Sequence, residues 1–269
     1  MLSRLLTSCA LMFALVSLSV SVSTAQANEL NFNLLEATPL GSWQINEQIT
    51  TNRKGKQSGS RVKMSLVGKE ERNGETHYWL EMAAQEFKIS KKGKRKNKGK
   101  RSVIKSLVPE SLMTTDPANV MSSLSKFGTE VIIQNGNEDP MRIPDTGNMM
   151  ATMMQFASVD IKYDFDPRGQ ETVNVAAGEF LAEKVFGTGS AEIKVFIKTM
   201  KVESERMSWY SQKIPFGIIK AEGSSTTNGK VSQETSELIE FGMFGAETEI
   251  TKPAKDMPAT PGLDGLFGK

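Results

Sequence analysis

The chain has 269 residues, and its 33 Lys and Arg nearly balance its 31 Asp and Glu. This balance excludes the strong overall positive field that is typical of proteins that bind nucleic acid. The only cysteine, Cys9, lies in the N-terminal apolar segment, which excludes a disulfide framework or a cysteine-based metal site in the rest of the chain.

The first 27 residues have the pattern of a secretory signal peptide. Arg4 precedes an apolar run at residues 5–20, and Ala25 and Ala27 form a small-x-small cleavage site. We therefore predict cleavage after Ala27 and a periplasmic mature protein, with full secretion as the alternative. The apolar run follows Cys9 instead of preceding it, which argues against a lipid-modified cysteine.

The mature chain is long enough for one β domain, predicted at residues 28–244. Alternating apolar residues indicate early strands around residues 43–49, 61–67 and 76–84. The last two should form a hairpin, because Asn73-Gly74 is a strong signal for a tight turn. Residues 245–269 contain three prolines and four glycines and predict a disordered tail.

A basic run follows at residues 88–101, where nine of fourteen residues are Lys or Arg. Because it contains almost nothing apolar, we predict a mobile, solvated hairpin tip before a strand at residues 102–108. Such a tip can contact the phosphates of an anionic membrane surface, although a loop without a partner is the alternative. The run has no interleaved aromatic residues, so no nucleic acid partner is expected. The residues predicted to face the anionic surface are Lys91, Lys92, Lys94, Arg95, Lys96, Lys98, Lys100 and Arg101.

Two helices are predicted in the middle of the chain. The first begins at the N-cap Asp116 and ends near residue 127, and the second covers residues 148–157. The second helix carries one stripe of methionines, whose flexible side chains suit varied apolar ligands. Two alternatives are simple packing on the sheet and a thioether site for Cu(I). The predicted ligand-binding residues are Met149, Met150, Met153, Met154 and Phe156.

The second half of the chain returns to period-two alternation, with a predicted turn at residues 166–169. Residues 172–222 predict four strands of an antiparallel meander with turns at residues 176–178 and 187–189 and a bend at 214–217. Asn228-Gly229 is a further hairpin signal before the last strand. About ten strands and two helices predict a mainly β protein, in which an antiparallel sheet curls and carries the helices over one mouth or face.

Two stretches of this meander resemble a known family. They are VAAGEFLAEKV at residues 175–185 and WYSQKIPFGIIK at residues 209–220. Both are similar to the C-terminal half of periplasmic proteins with the LolA-like fold, which is the fold of the lipoprotein carrier. The similar positions are turns and bends, and no ligand-contacting residue of the carrier is matched. The resemblance implies a strongly curved antiparallel sheet that forms an open half-barrel. The two inserted helices would be a lid over an apolar cavity for acyl chains or apolar protein segments.

The polar residues do not form a catalytic pattern. His77 is the only histidine and is predicted to be a surface or edge residue, while Asp160, Asp164, Asp166 and Glu171 lack the glycine-centred spacing of a calcium loop. No nucleotide-binding, zinc-protease or serine-nucleophile motif occurs. We therefore expect a non-enzymatic carrier of an apolar ligand, either a lipid or a lipidated polypeptide, that requires no cofactor. The alternative is a structural protein with a filled barrel that binds another envelope protein through an edge strand. The oligomeric state stays open.

Overall fold

The computed structural model describes residues 38–113, 130–144, 157–195 and 198–256. These residues form twelve β-strands and one short α-helix, and no helix among them is long and apolar enough to cross a membrane. The elements are β1 (Trp43–Asn52), β2 (Gln57–Arg72), β3 (Glu75–Ile89), β4 (Arg95–Pro109), α1 (Glu110–Met113), β5 (Glu130–Asn135), β6 (Met141–Pro144), β7 (Ala157–Val175), β8 (Gly178–Val195), β9 (Lys198–Tyr210), β10 (Ile218–Thr227), β11 (Lys230–Gly242) and β12 (Lys255–Asp256).

All twelve strands belong to one sheet, in the order β12-β6-β5-β4-β3-β2-β1-β11-β10-β9-β8-β7. The chain moves outward from β1 to β6, crosses to β7 at the opposite edge, and returns to the centre through β11. Neighbouring strands are antiparallel except for β12 and β6. The two edges do not pair, so the prediction of an open, mainly antiparallel sheet is confirmed.

The sheet curls strongly in its C-terminal half. The turn between β7 and β8 reaches β11, where the Ala177 amide donates a hydrogen bond of 3.3 Å to the Leu238 carbonyl. Val173, Ile219 and Leu238 pack together beneath this turn. The predicted lid helices at residues 116–127 and 148–157 lie outside the described residues, apart from Ala157, which begins β7.

Two predicted turns are wrong, because the strands continue through them. Gly187 lies within β8 and pairs with Phe165, and a Cβ atom at this position would approach the Phe165 ring to 2.9 Å. The glycine is therefore needed for close packing across the strands and not for a change of direction. Residues 166–169 form a bulge within β7, where the register shifts between Pro167 and Gln170. By contrast, Asn73-Gly74 and Asn228-Gly229 both have positive φ, as tight hairpins require.

The predicted disorder of the tail is wrong for residues 245–256. This segment crosses one face of β3, β4 and β5, where Ile250 is only 7% exposed and packs against Ala83, Val103 and Ile132. Its end forms β12, which pairs with β6. Proline and glycine content suggested disorder, but one apolar residue and several polar contacts hold this segment, which we call the strap. Residues 257–269 lie outside the described residues.

Candidate functional site

A strongly basic surface lies at one end of the sheet. The β1–β2 and β3–β4 turns are neighbours there, because Ser58 pairs with Lys88. Residues 52–58 and 88–101 contain no Asp or Glu. Eight exposed cations on these turns have no ion pair among the described residues, and we call them the basic rim. They are Arg53, Lys54, Lys56, Lys88, Lys91, Lys92, Lys94 and Lys96.

The other half of the predicted basic run is paired with carboxylates. Because β4 begins at Arg95, only residues 90–94 lie between the two strands, so the predicted hairpin tip is shorter than expected. The backbone of residues 95–98 pairs with β3, which overrides the high polarity of the sequence. The four ion pairs are Arg95–Glu47 at 2.6 Å, Lys98–Glu86 at 2.9 Å, Lys100–Glu138 at 2.6 Å and Arg101–Glu249 at 2.7 Å.

Glu47 holds the hairpin to the sheet. It is 7% exposed and accepts hydrogen bonds from Arg61 at 3.0 Å and from Arg95 at 2.7 Å. The Arg95 guanidinium also lies 5.3 Å from the centre of the Phe87 ring. Arg95 therefore anchors the hairpin, and its positive charge is largely neutralised by Glu47.

The same strands carry apolar residues along one face. Strand register places Met64, Met82, Ile104, Ile133 and Met141 side by side across β2 to β6. All are half-buried except Ile104, which is buried. We call this side of the sheet the methionine face. Its row of flexible thioethers forms an adaptable apolar surface.

The methionine face is closed at the end that lies opposite the basic rim. Leu66 and Val108 are buried there against Leu112 and Met113 of α1 and against Phe216 from the β9–β10 connection. The face therefore runs from a fully packed apolar end, through the half-buried methionine row, to the basic rim.

An unsatisfied polar group lies beside the methionine row. Gln44 pairs with Met64 across β1 and β2 and is 1% exposed. Its Nε2 contacts the Met64 Sδ at 4.0 Å, whereas its Oε1 is buried without a hydrogen-bond partner. Leaving such a group unpaired costs about 1–3 kcal/mol, so Gln44 lowers the stability of this part of the sheet.

The opposite face is covered by the strap. The buried Glu81 carboxylate accepts hydrogen bonds from the Glu249 amide at 2.8 Å and from the Thr248 hydroxyl. Glu249 in turn forms two hydrogen bonds of 2.7 Å with Arg101. The hydrogen bonds from Arg101 lower the pKa of Glu249 below its ordinary value, even though partial burial opposes this shift. The strap is thus fastened by an apolar residue and by a charged clamp.

A surface depression of about 230 Å³ lies between the two hairpins of the basic rim. It is lined by two hydroxyls, one amide and three ammonium groups. These residues are Thr50, Asn52, Lys56, Ser58, Lys88 and Lys98.

The structure describes only some of the predicted site residues. Met149, Met150, Met153, Met154 and Phe156 lie outside the described residues, so the predicted lid contact stays a prediction. The described residues contain no group of three His, Cys, Asp or Glu placed to hold a metal ion.

His77 is buried rather than at a surface or edge. It is 5% exposed, because β3 lies inside the sheet between β2 and β4, and its Nδ1 is 2.9 Å from the Glu75 carbonyl. Glu171, which was considered for calcium, accepts hydrogen bonds from the Trp209 indole and the Lys184 ammonium. Both residues therefore have structural partners.

Sequence reasoning missed two parts of this arrangement. The three cations of residues 53–56 join the basic run only through the alignment of the two hairpins, in which Ser58 pairs with Lys88. The alignment of Met82 and Met141 with Met64 depends on strand register. Counting back from the Asn73-Gly74 turn aligns Met64 with Ala83, because the register shift between Leu66 and Gly68 is not visible in the sequence. The position of Met141 depends on the β4–β5 and β5–β6 pairings.

Comparisons with known proteins leave the family of the chain open. No family model matches it, and no curated protein matches it. Two solved structures are similar over much of their length. A "putative lipoprotein" from Parabacteroides distasonis is 15% identical, with a TM-score of 0.34, and the match covers 77% of this chain and 98% of that one. A "putative exported protein with YmcC-like fold" from Bacteroides fragilis is 16% identical, with a TM-score of 0.34 and coverage of 76% and 97%.

Proposed function

We propose that this protein is a non-enzymatic binding protein of the bacterial cell envelope that takes up an apolar ligand at an anionic membrane surface. The ligand class is a lipid or a lipidated polypeptide. The observation that supports this best is the continuity of the methionine face with the basic rim on the same strands, β2 to β4. The signal-peptide pattern of residues 1–27 supports an envelope location.

The methionine face supplies the apolar contact. Burial of acyl surface against it would contribute about 25 cal/mol per Å² of apolar area removed from water. Methionine side chains adapt to ligands of different shape. The predicted Met149–Met154 stripe would cover the ligand from the other side.

The basic rim supplies the surface contact. Each exposed Lys or Arg near an anionic membrane contributes about 1 kcal/mol, and this attraction decays within about 8–10 Å at moderate salt. The rim would therefore orient the open end of the methionine face toward the membrane from which the ligand is taken.

A competition assay with a fluorescent fatty acid tests this proposal. The variant Met82→Gln adds a polar amide to the half-buried row and should weaken binding of the probe about tenfold, because an apolar contact is lost and an amide is desolvated. Met200→Gln, on exposed β9, is the matched control and should bind the probe as the wild type does. Equal binding by all three proteins would refute the assignment of the ligand to this face.

A second candidate function is supported by the packing of the C-terminal half. There Val173, Trp209, Ile219 and Leu238 fill the curl of the sheet with the protein's own side chains. If side chains also filled the rest of the sheet's interior, no space would remain for a ligand, and the protein would act by binding another envelope protein. The outer edge of the 19-residue β7 offers unpaired backbone groups for such a partner. Crosslinking from Asp164 on β7 to a second protein in intact cells, without any bound lipid, would favour this candidate.

A further inference from the structure

We infer that the ligand carries a phosphate group and that the depression between the two basic hairpins binds this phosphate. This inference rests on the proposed function and adds a headgroup site to it. The depression of about 230 Å³ lies on the same face as the methionine row, and its lining is dominated by hydrogen-bond donors.

Strand register places three of these donors in one row. Thr50 pairs with Ser58, and Ser58 pairs with Lys88, with no register shift between these pairs. Because residues that pair directly across neighbouring strands share a face, these three side chains lie on one side of the sheet. Two hydroxyls and one ammonium group are thus neighbours in the lining of the depression.

The charge balance of the depression favours an anion. Lys98 is neutralised by Glu86 at 2.9 Å, but Lys56 and Lys88 have no ion pair among the described residues. The Asn52 Oδ1 already accepts hydrogen bonds from the Lys54 and Lys56 amides at 2.9 and 3.0 Å. The Asn52 acceptor is therefore satisfied within the turn, which leaves ammonium and hydroxyl donors to face a ligand. Phosphate oxygens are well suited to such donors, with lysine acting as a point charge.

The depression is also placed correctly for a lipid. Residues 58, 60, 62 and 64 of β2 and residues 88, 86, 84 and 82 of β3 follow one another along the methionine face. Lys88 and Met82 are therefore about 20 Å apart along the strand, at about 3.4 Å per residue. A lipid whose phosphate is bound by Lys56 and Lys88 would direct its acyl chains toward Met64 and Met82. The polar linkage of the lipid would lie between the lysines and the methionines.

Binding of two lipids with identical acyl chains tests the inference. Phosphatidic acid carries a phosphomonoester, whereas diacylglycerol does not. We expect the wild type to bind phosphatidic acid about thirtyfold more tightly in detergent, because each of two lysines contributes about 1 kcal/mol. The double variant Lys56→Ser/Lys88→Ser should lose this preference and still bind diacylglycerol normally. The control Lys69→Ser/Lys213→Ser, with exposed lysines at the opposite end of the sheet, should keep it.

The possible results are distinguishable. If the wild type binds both lipids equally well, the phosphate inference is wrong and the proposed function stands. If it binds neither lipid, the proposed function itself fails. Inorganic phosphate separates a lipid headgroup site from an unrelated anion site. It should compete with phosphatidic acid but not with diacylglycerol, and phosphate binding without competition would overturn the inference.

Discussion

Replacing Lys91, Lys92 and Lys94 with serine should weaken binding to anionic vesicles about 100-fold without changing the free energy of unfolding. These three lysines lie between β3 and β4, are exposed, and have no ion pair among the described residues. Each contributes about 1 kcal/mol near an anionic membrane, and a loss of about 3 kcal/mol corresponds to roughly two factors of ten in affinity.

The matched control is Arg95→Gln, which removes one positive charge from the same hairpin. Because Arg95 is paired with Glu47 at 2.6 Å, we expect little change in vesicle binding. The free energy of unfolding should fall, because the buried Glu47 would keep only its ion pair with Arg61. The loss should be limited to about 1–2 kcal/mol, because the Arg95 side chain is half-exposed.

Cosedimentation with phosphatidylglycerol vesicles at low and high salt measures the first effect, and urea unfolding measures the second. The binding of the wild type should fall steeply with salt, while that of the triple variant should depend on it weakly. Equal losses of vesicle binding in the triple variant and in Arg95→Gln would refute the distinction between free and anchoring cations. Salt-independent binding by the wild type would refute the role of charge altogether.

Three further predictions concern the scaffold and the strap. Leu238→Ala removes a side chain that is 0% exposed and should lower the free energy of unfolding in urea by about 2–5 kcal/mol; a loss below about 1 kcal/mol would show that the C-terminal core is not closely packed. Gly223→Ala should lower the free energy of unfolding by about 1–3 kcal/mol, because the new Cβ would lie 2.1 Å from the Glu205 carbonyl oxygen. Gly74→Ala meets no neighbour and should lower it by only about 1–2 kcal/mol, because Gly74 has a positive φ. The pKa of Glu249 is lowered by its hydrogen bonds to Arg101, so its carboxylate stabilises the strap above the unfolded pKa, near 4.3, and this stabilisation is lost as the pH falls through the folded value. Amide exchange of residues 246–250 should therefore accelerate, relative to the β-sheet core, only below about pH 4.3. Arg101→Gln should remove this pH dependence. If exchange in the variant kept the pH dependence of the wild type, the clamp would be contradicted.

Local signals in the sequence were enough for much of the fold. Asn73-Gly74 and Asn228-Gly229 predicted tight turns because their residues tolerate positive φ, and both do adopt it. Period-two alternation correctly indicated most strands of the open sheet. The turn predicted at residues 187–189 is wrong because its glycine serves packing: Gly187 approaches Phe165 on the neighbouring strand, and only the pairing of β7 with β8 distinguishes this role from a turn.

Long-range contacts explain what the sequence could not predict about the strap and the candidate site. Ile250 is one apolar residue in a polar tail, and its pocket is formed by residues more than a hundred positions earlier in the chain. Likewise, the sequence alone does not distinguish the eight cations of the basic rim, which have no ion pair among the described residues, from the four anchored ones. Glu47 and Glu249 are distant in sequence from Arg95 and Arg101. Composition gives the number of charges, whereas pairing decides which of them can bind a partner.

Native mass spectrometry of the protein isolated from its own cell envelope in mild detergent tests the central proposal most directly. We expect a bound mass that dissociates as a lipid or lipidated polypeptide, and we expect the variant Met82→Gln to carry less of it than Met200→Gln. Wild-type protein that never retains an apolar molecule, even though its strands and strap are intact by amide exchange, would contradict the proposal.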